Sequence, residues 1–385
     1  MKVNKTLLPL MAGFFVMSFC DIIGTVMNQV KAECRLSDAV AGFLPSMIFV
    51  WFFVISLPTG VMCGKIGRKN AVLLSMAITI VAMFVPLGAG PSRWWVYGVS
   101  FALLGIGNTI IQAALPALMS NVVPGDQLTS RISLGQFVKA LCAALTPVFV
   151  YLTATALGNW KLLFPLYGLL TVAAALWLLV TKMPDERTGD SGQAAPVTTF
   201  GSCMAMLKHP YVLAMTVGIF FSVGADVGFA VAIPEYLKNV YKVDLNTAGM
   251  GPTVYFVAKM IAAFVGAIVF AKISAATCFP WCMGVGLLAT AGIFFAPSPA
   301  AFFACVFVAA LMTANSFGMC MGLAIDKVPA KANEITSLMV MAIVGGAVVT
   351  PLLGVMQGVF GAAGILSVLI ACIGYLLVLG IMAKK

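Results

Sequence analysis

The chain has 385 residues, 62% of them hydrophobic and only 9% charged, with a mean hydropathy of +1.08 and a formal net charge of +10. A water-soluble domain carries roughly 25% charged residues to cover its surface, so this composition excludes one and makes lipid the solvent. Backbone groups in lipid are satisfied only within helices or closed barrels, and the long unbroken apolar runs select helices over alternating barrel strands.

A crossing helix needs roughly 20 apolar residues, and twelve such stretches follow one another. The first six are predicted near 6–30, 40–64, 70–88, 93–119, 133–156 and 160–182; the second six near 210–237, 246–271, 277–296, 299–324, 333–358 and 361–383. Met1 to Lys5 resembles the charged start of a signal peptide. The apolar stretch behind it is too long for one and carries Asp21 and Asn28, so it reads as span one. The longest hydrophilic stretch follows span six and reads as a flexible linker. The expected organisation is an N-terminal half over 1–182, a cytoplasmic linker over 183–209 and a C-terminal half over 210–385.

The halves echo one another. Phe14-Phe15 precede Asp21 and Gly24 in span one, and Phe220-Phe221 precede Asp226 and Gly228 in span seven. The next helix of each half ends at a basic turn, Lys65-Ile66 and Lys272-Ile273. A parallel repeat of this kind suits a transporter whose solute site lies between two halves.

Charge distribution orients the chain. With the N-terminus inside, fourteen Lys and Arg fall on the cytoplasmic side, among them Lys65, Arg68, Lys69, Lys272, Lys327 and Lys331, against six outside. The positive-inside rule requires that excess, and Trp94, Trp95 and Trp160 fall at the expected outer interface. Both termini are therefore expected in the cytoplasm, the chain being a multi-pass protein of a bacterial-type inner membrane. The basic residues form no stripe, so no nucleic-acid partner is expected. Nearly all ten cysteines lie in apolar spans, and Cys34 alone falls in an outer loop. Cys278 and Cys282, four apart, lack a histidine or carboxylate beside them, and the single histidine, His209, has no co-ligands, so no metal site is expected.

Between spans two and three stands Gly60-Val61-Met62-Cys63-Gly64-Lys65-Ile66-Gly67-Arg68-Lys69. This resembles the signature of the major facilitator superfamily, a glycine, then an acidic residue, then basic-x-Gly-basic-basic. Gly64 stands where the family usually has aspartate. A closer likeness, to the fucose–proton symporter group with its bacterial glucose/galactose permeases, rests on three segments. They are the span-eleven run from Val340 to Gly354, Arg131-Ile132-Ser133-Leu134-Gly135-Gln136-Phe137 at the start of span five and, more loosely, span one. The resemblance implies an all-α membrane protein of twelve transmembrane helices in two pseudo-symmetric six-helix bundles, with spans one, four, seven and ten lining a cavity. The fucose symporter's span-four glutamate has no acidic counterpart here; Asn108 and Gln112 stand in that region.

A charge at the bilayer centre costs at least ~2.5–3.5 kcal/mol on insertion scales. Four are expected within spans: Asp21, Lys139, Asp226 and Lys259. They sum to zero and can neutralise one another without any ligand. Asp21 shares a helical stripe with Thr25 and Asn28, and Asp226 follows Ser222 by one turn. Each carboxylate reads as the carrier of a coupling cation, H+ or Na+, or a solute ligand, as half of a structural ion pair, or as a group exposed at the interface. Gln136 and Lys139 share a face of span five, Asn108 and Gln112 a face of span four, and Lys259 follows Tyr255 by one turn. Such amides, cations and a nearby aromatic suit sugar hydroxyls; they equally suit interhelical hydrogen bonding. Asn315 in span ten has the same two readings, and Gly345-Gly346 reads as a close-packing or bending point.

The leading expectation is a secondary active transporter, working as a monomer without a cofactor, that imports a hexose or deoxyhexose with a cation. The alternatives are a carrier of a sugar acid or other organic anion, and an exporter of drugs or metabolites. No phosphate-binding loop and no nucleophile–base pair is visible, which argues against ATP drive and against an enzyme.

Overall fold

A computed structural model of the protein describes residues 6–19, 26, 29–30, 33–36, 38–90, 92–183, 198–242 and 251–384. Among these no strand is present, and the chain is an all-α membrane protein. Its first helices are α1 (Leu7–Met17), α2 (Asp38–Ile66), α3 (Arg68–Phe84), α4 (Trp94–Met119), α5 (Gly125–Thr155) and α6 (Leu163–Val180). A short α7 (Phe200–Ala205) is followed by α8 (Pro210–Asn239), α9 (Pro252–Val269), α10 (Ala275–Gly292), α11 (Pro299–Thr313) and α12 (Ser316–Lys327). The last three are α13 (Ala332–Met341), α14 (Gly345–Phe360) and α15 (Ala362–Ala383). Large apolar side chains stand out from their surface, with Phe295 84% exposed, a condition that suits lipid and not water.

The helices form two compact units. Unit one comprises Met1–Pro124, Val138–Met206 and Val328–Met341; unit two comprises Gly125–Phe137, Leu207–Lys327 and Ala342–Lys385. Thus each unit includes a short segment from the opposite half of the sequence. Within unit one, α4 packs against α2 and α3, α6 against α3, and α13 against α2, α4 and α7. Within unit two, α8 is flanked by α12, α14 and α15, while α10 packs on α11 and α15.

Several expected spans differ in their ends, for physical reasons. α5 begins at Gly125 rather than near 133, so Arg131 lies within the helix. The extended backbone of Pro124 and the acidic Asp126 in the first turn favour that start. Asp326 adds to it: a Cβ on Gly125 would meet its Oδ1 at 1.8 Å, so this carboxylate lies against the positive end of the helix. Span ten is interrupted at Ala314-Asn315 between α11 and α12. Span eleven is interrupted by a 3₁₀ turn at Ala342–Val344, where the chain passes from unit one to unit two. Directly after it, a Cβ on Gly345 would meet the Phe220 carbonyl oxygen at 2.1 Å. Only glycine lets α14 cross α8 that closely, so the Gly345-Gly346 site is both a bend and a close-packing point.

The stretch read as a flexible linker contains α7. Thr199 Oγ1 accepts from the Ser202 N–H at 3.1 Å, and Ser202 Oγ accepts from the Thr199 N–H at 2.9 Å. This reciprocal capping box starts the helix. Residues 184–197 lie outside the described residues.

Candidate functional site

The intramembrane charges of unit two come together. Asp226 lies midway along α8, and Tyr255 and Lys259 lie one turn apart on α9, so both reach the same carboxylate. The Tyr255 hydroxyl donates to Oδ1 at 2.5 Å, and the Lys259 ammonium pairs with Oδ2. Lys259 Nζ also stands 5.7 Å from the Tyr255 ring centroid. Tyr255 is 1% exposed and stacks on Phe229 with ring centroids 5.1 Å apart, so the phenol is fixed from behind by packing. The two ions remain open on one side, with the side chains of Lys259 and Asp226 23% and 35% exposed. A carboxylate held by two donors, one of them charged, and only partly buried can exchange its partners; a fully buried pair cannot do so readily.

Other expected site residues have different surroundings. Asn315, at the interruption of span ten, is buried and donates through Nδ2 to the Ala262 carbonyl at 2.7 Å, bracing span ten against α9. One turn before Asp226 on α8, the Ser222 hydroxyl lies 2.6 Å from that of Ser316 and joins α8 to α12. Gln136 is half-buried in the part of α5 that belongs to unit two. That segment is fixed to α9 by the Ser130 hydroxyl, which donates to the Ala267 carbonyl at 2.6 Å, and by the Phe137–Phe264 contact. In unit one, Asn108 and Gln112 are buried on α4, and Lys139 is half-buried on α5. Asp21, Thr25 and Asn28 lie outside the described residues.

The glycine-rich basic motif closes helix ends within unit one. Gly67 adopts φ +87°, a conformation that favours glycine, and turns the chain from α2 into α3. Arg68 Nη1 donates to the Ala117 carbonyl at 2.8 Å, to Ser120 Oγ at 3.4 Å and to the Asn121 side-chain oxygen, while Nε donates to Asn333 Oδ1 at 2.7 Å. Lys69 Nζ donates to the carbonyls of Leu179 and Thr181, both at 2.9 Å. Each cation therefore satisfies the orphan carbonyls at the negative end of another helix, Arg68 on α4 and Lys69 on α6. Lys65, by contrast, is exposed. The departure at Gly64 has a steric counterpart, since a Cβ there would meet the Thr198 Cβ at 2.8 Å. Thr198 occupies the room an aspartate side chain needs. Gly60 faces Ser337 of α13 in a similar close crossing.

Two polar clusters escaped the sequence reading. Glu334, 2% exposed on α13, receives Lys331 Nζ at 3.2 Å and the Ser202 hydroxyl at 3.3 Å, tying α7 to span eleven. At the opposite end of unit one, Glu33 pairs with Lys161 at 2.6 Å and accepts the Tyr97 hydroxyl at 3.3 Å. Lys161 also donates to the Ala89 carbonyl at 3.1 Å. Cys34, beside them, is buried and points its thiol at the Gly90 carbonyl. Burial pushes that thiol's pKa up, the Glu33 charge adds to the rise, and Lys161 opposes it.

The model of the Major Facilitator Superfamily matches residues 10–225, more than half of the chain. The chain belongs to the major facilitator superfamily. Members of this family are transporters rather than enzymes. Over 387 residues it is 21% identical to the glucose/galactose transporter of Brucella abortus, covering 97% of this chain and 92% of that one. It is also 21% identical over 235 residues to protein spinster homolog 1 of Xenopus tropicalis, spanning only 44% of that protein's length. The structure of FucP, the E. coli fucose:proton symporter, in its outward conformation is similar with a TM-score of 0.85 at 14% identity, over 98% of each chain. That likeness establishes the fold and leaves the solute to be argued from the site.

Proposed function

We propose that this superfamily member is a secondary active transporter that imports a monosaccharide together with a cation by alternating access. The observation that carries the reading is the Asp226–Lys259–Tyr255 cluster, a partly exposed ion pair midway along an apolar helix. Charges at that depth cost several kcal/mol, and a phenol and an ammonium on one carboxylate form a site whose occupancy changes when the carboxylate takes up a cation. In this reading Asp226 is the coupling carboxylate and Asp21 its candidate counterpart in span one. Lys259 contacts the solute and the buried Tyr255, read from sequence as a second contact, holds the Asp226 carboxylate in place, with Asn28, Asn108, Gln112, Gln136 and Lys139 supplying further donors and acceptors. Asn315 serves as the brace of span ten, since its amide already holds Ala262. The resemblance to a protein named as a glucose/galactose transporter, over nearly the whole of both chains, supports a sugar as solute.

The excess of Lys and Arg at the end bearing the basic motif supports a cytoplasmic location for that end and for both termini, in a bacterial-type inner membrane. The chain acts as a monomer, without nucleic acid or cofactor beyond the coupling H+ or Na+. Uptake of labelled hexoses, deoxyhexoses and sugar acids into proteoliposomes, with imposed proton or sodium gradients, tests the proposal. Concentrative uptake of at least one of these, driven by one cation gradient and uncoupled by Asp226→Asn, is expected. Gradient-independent equilibration of every solute tested would overturn the coupled mechanism.

A further inference from the structure

The charge balance of the Asp226–Lys259 pair narrows the class of solute. With Asp226 ionised the pair is neutral and adds no net charge to the empty site. When Asp226 takes a proton on its carboxylate oxygen, Lys259 loses its counter-charge and the site becomes a monocation at bilayer depth. A neutral sugar leaves that charge uncompensated. A monoanion removes it, because its carboxylate takes the place at Lys259 that Asp226 gave up.

We propose that the solute of this site is a monosaccharide bearing a carboxylate, a sugar acid, carried as the anion with one proton; the inference rests on the reading of Asp226 as the coupling group. Coupling then follows from electrostatics alone. The empty site (ionised Asp226, charged Lys259) and the fully loaded site (protonated Asp226, charged Lys259, anion) are both neutral. The proton-only state is +1 and the anion-only state is −1. Each half-loaded state takes one net charge through the apolar core, a penalty that suppresses it on the order of a hundredfold. Proton leak and solute slip are therefore both disfavoured, and the complete cycle moves no net charge.

The groups on the carboxylate favour a proton over a metal cation, and the charged groups of the neighbouring helices have partners of their own or lie at helix ends. Among the described residues, both groups that touch the Asp226 carboxylate act as donors, an ammonium and a phenol; a bound Na+ needs acceptor oxygens around it. Of the helices packed on α8, α14 has no ionisable side chain. On α15 the Tyr375 hydroxyl donates to the Ala214 carbonyl at 3.1 Å. On α12, Lys327 lies over the ring of Tyr211, at the start of α8 and about 22 Å along the helix from Asp226, with Asp326 beside it in sequence. On the α5 segment packed against α9, Arg131 donates to Gln127 at 3.4 Å. Tyr255 fixes the geometry: its buried phenol can remain bonded to a protonated Asp226 while Lys259, on a flexible stem, turns to the solute.

The full chain, reconstituted in proteoliposomes containing an entrapped pH dye, tests the proposal. Inward gradients of gluconate or glucuronate are expected to acidify the lumen, at a rate that a potassium–valinomycin potential changes less than twofold. Glucose and fucose gradients are expected to produce no acidification. In detergent, gluconate is expected to raise the melting temperature of the wild type, and glucose at the same concentration is expected to have no effect. This readout needs no variant to fold. Lys259→Gln is expected to lose gluconate binding at least tenfold. Proton uptake driven by a neutral hexose and accelerated by an inside-negative potential would overturn the inference while leaving the proposed symport standing. Proton coupling in Asp226→Asn equal to wild type, with any solute, would instead overturn the assignment of Asp226 and the inference with it.

Discussion

The Nε of Arg68 donates to Asn333 Oδ1 at 2.7 Å, joining two residues 265 positions apart within one compact unit. The same guanidinium reaches Ala117, Ser120 and Asn121. The planar fork of arginine makes these bonds in one geometry, which a lysine ammonium cannot reproduce. Arg68→Lys is therefore expected to lower stability by about 1.5–3 kcal/mol and Asn333→Ala by about 1 kcal/mol. Lys65→Ala, at the exposed position of the same motif, should stay within ~0.5 kcal/mol of wild type. Thermal unfolding in one detergent compares all three; equal losses for Lys65→Ala and Arg68→Lys would refute the capping role.

The Asp226–Lys259 pair predicts a non-additive stability cycle. Asp226→Asn leaves Lys259 without its counter-charge, and Lys259→Gln leaves the carboxylate without its cation. Each single variant is expected to lose about 1–2 kcal/mol, below the 3–5 kcal/mol typical of a fully buried pair because both side chains are partly exposed. The double variant should recover to within ~0.5 kcal/mol of wild type. Losses that simply add across the cycle would show that the pair is not a unit.

Two glycines of α14 predict opposite outcomes for the same substitution. A Cβ on Gly345 strikes the Phe220 carbonyl, part of a backbone that cannot turn aside. Gly345→Ala is expected to cost at least ~1–3 kcal/mol by overpacking. Gly358 has no atom within 4 Å of the added carbon, so Gly358→Ala should stabilise the helix by about 0.5–1 kcal/mol. Melting temperatures of the two purified variants decide the matter.

Cys203 on α7 predicts a pH profile. Its burial, and then the charge of Glu334, push the thiol up to about 11. The thiolate is the reactive form, so alkylation in the folded protein should rise about tenfold per pH unit from pH 7 to 10. It should run at least a hundredfold slower at pH 8 than for a thiol of ordinary pKa of about 8.5. Peptide mass spectrometry after timed iodoacetamide pulses reads this directly. Rapid labelling at pH 7 would mean that α7 is not seated against span eleven.

Sequence carried much of this in one kind of signal and little in another. Apolar run length marks where lipid is the solvent, and it located the spans from α2 to α15 to within a few residues at most ends. It identified Asp226, Tyr255 and Lys259 one by one, because ionisable groups stand out against an apolar background. It could not pair them, since a contact between α8 and α9 depends on how two helices rotate about their axes. Glu33, Lys161 and Tyr97, far apart in sequence, meet only where three helix ends converge, and no periodicity marks that place. Thr199-x-x-Ser202 was the readable sign of α7, but its hydrophilic setting made it look like linker. Asn315 and Ser222 illustrate the remaining ambiguity: an amide or hydroxyl that could greet a sugar is chemically identical to one that braces two helices.

The acceptors that Lys69 engages, and one of those engaged by Arg68, are main-chain carbonyls. A carbonyl is present whatever side chain occupies the position, so mutation at Ala117, Leu179 or Thr181 leaves the partner in place. Drift at those three positions is therefore nearly invisible to the two cations, while loss of either cation has no remedy at the acceptor positions themselves. A motif built in this way can persist while the sequence around it diverges. Suppressors of a Lys69 variant should accordingly arise as new donors near the end of α6 and not as exchanges at the acceptor positions.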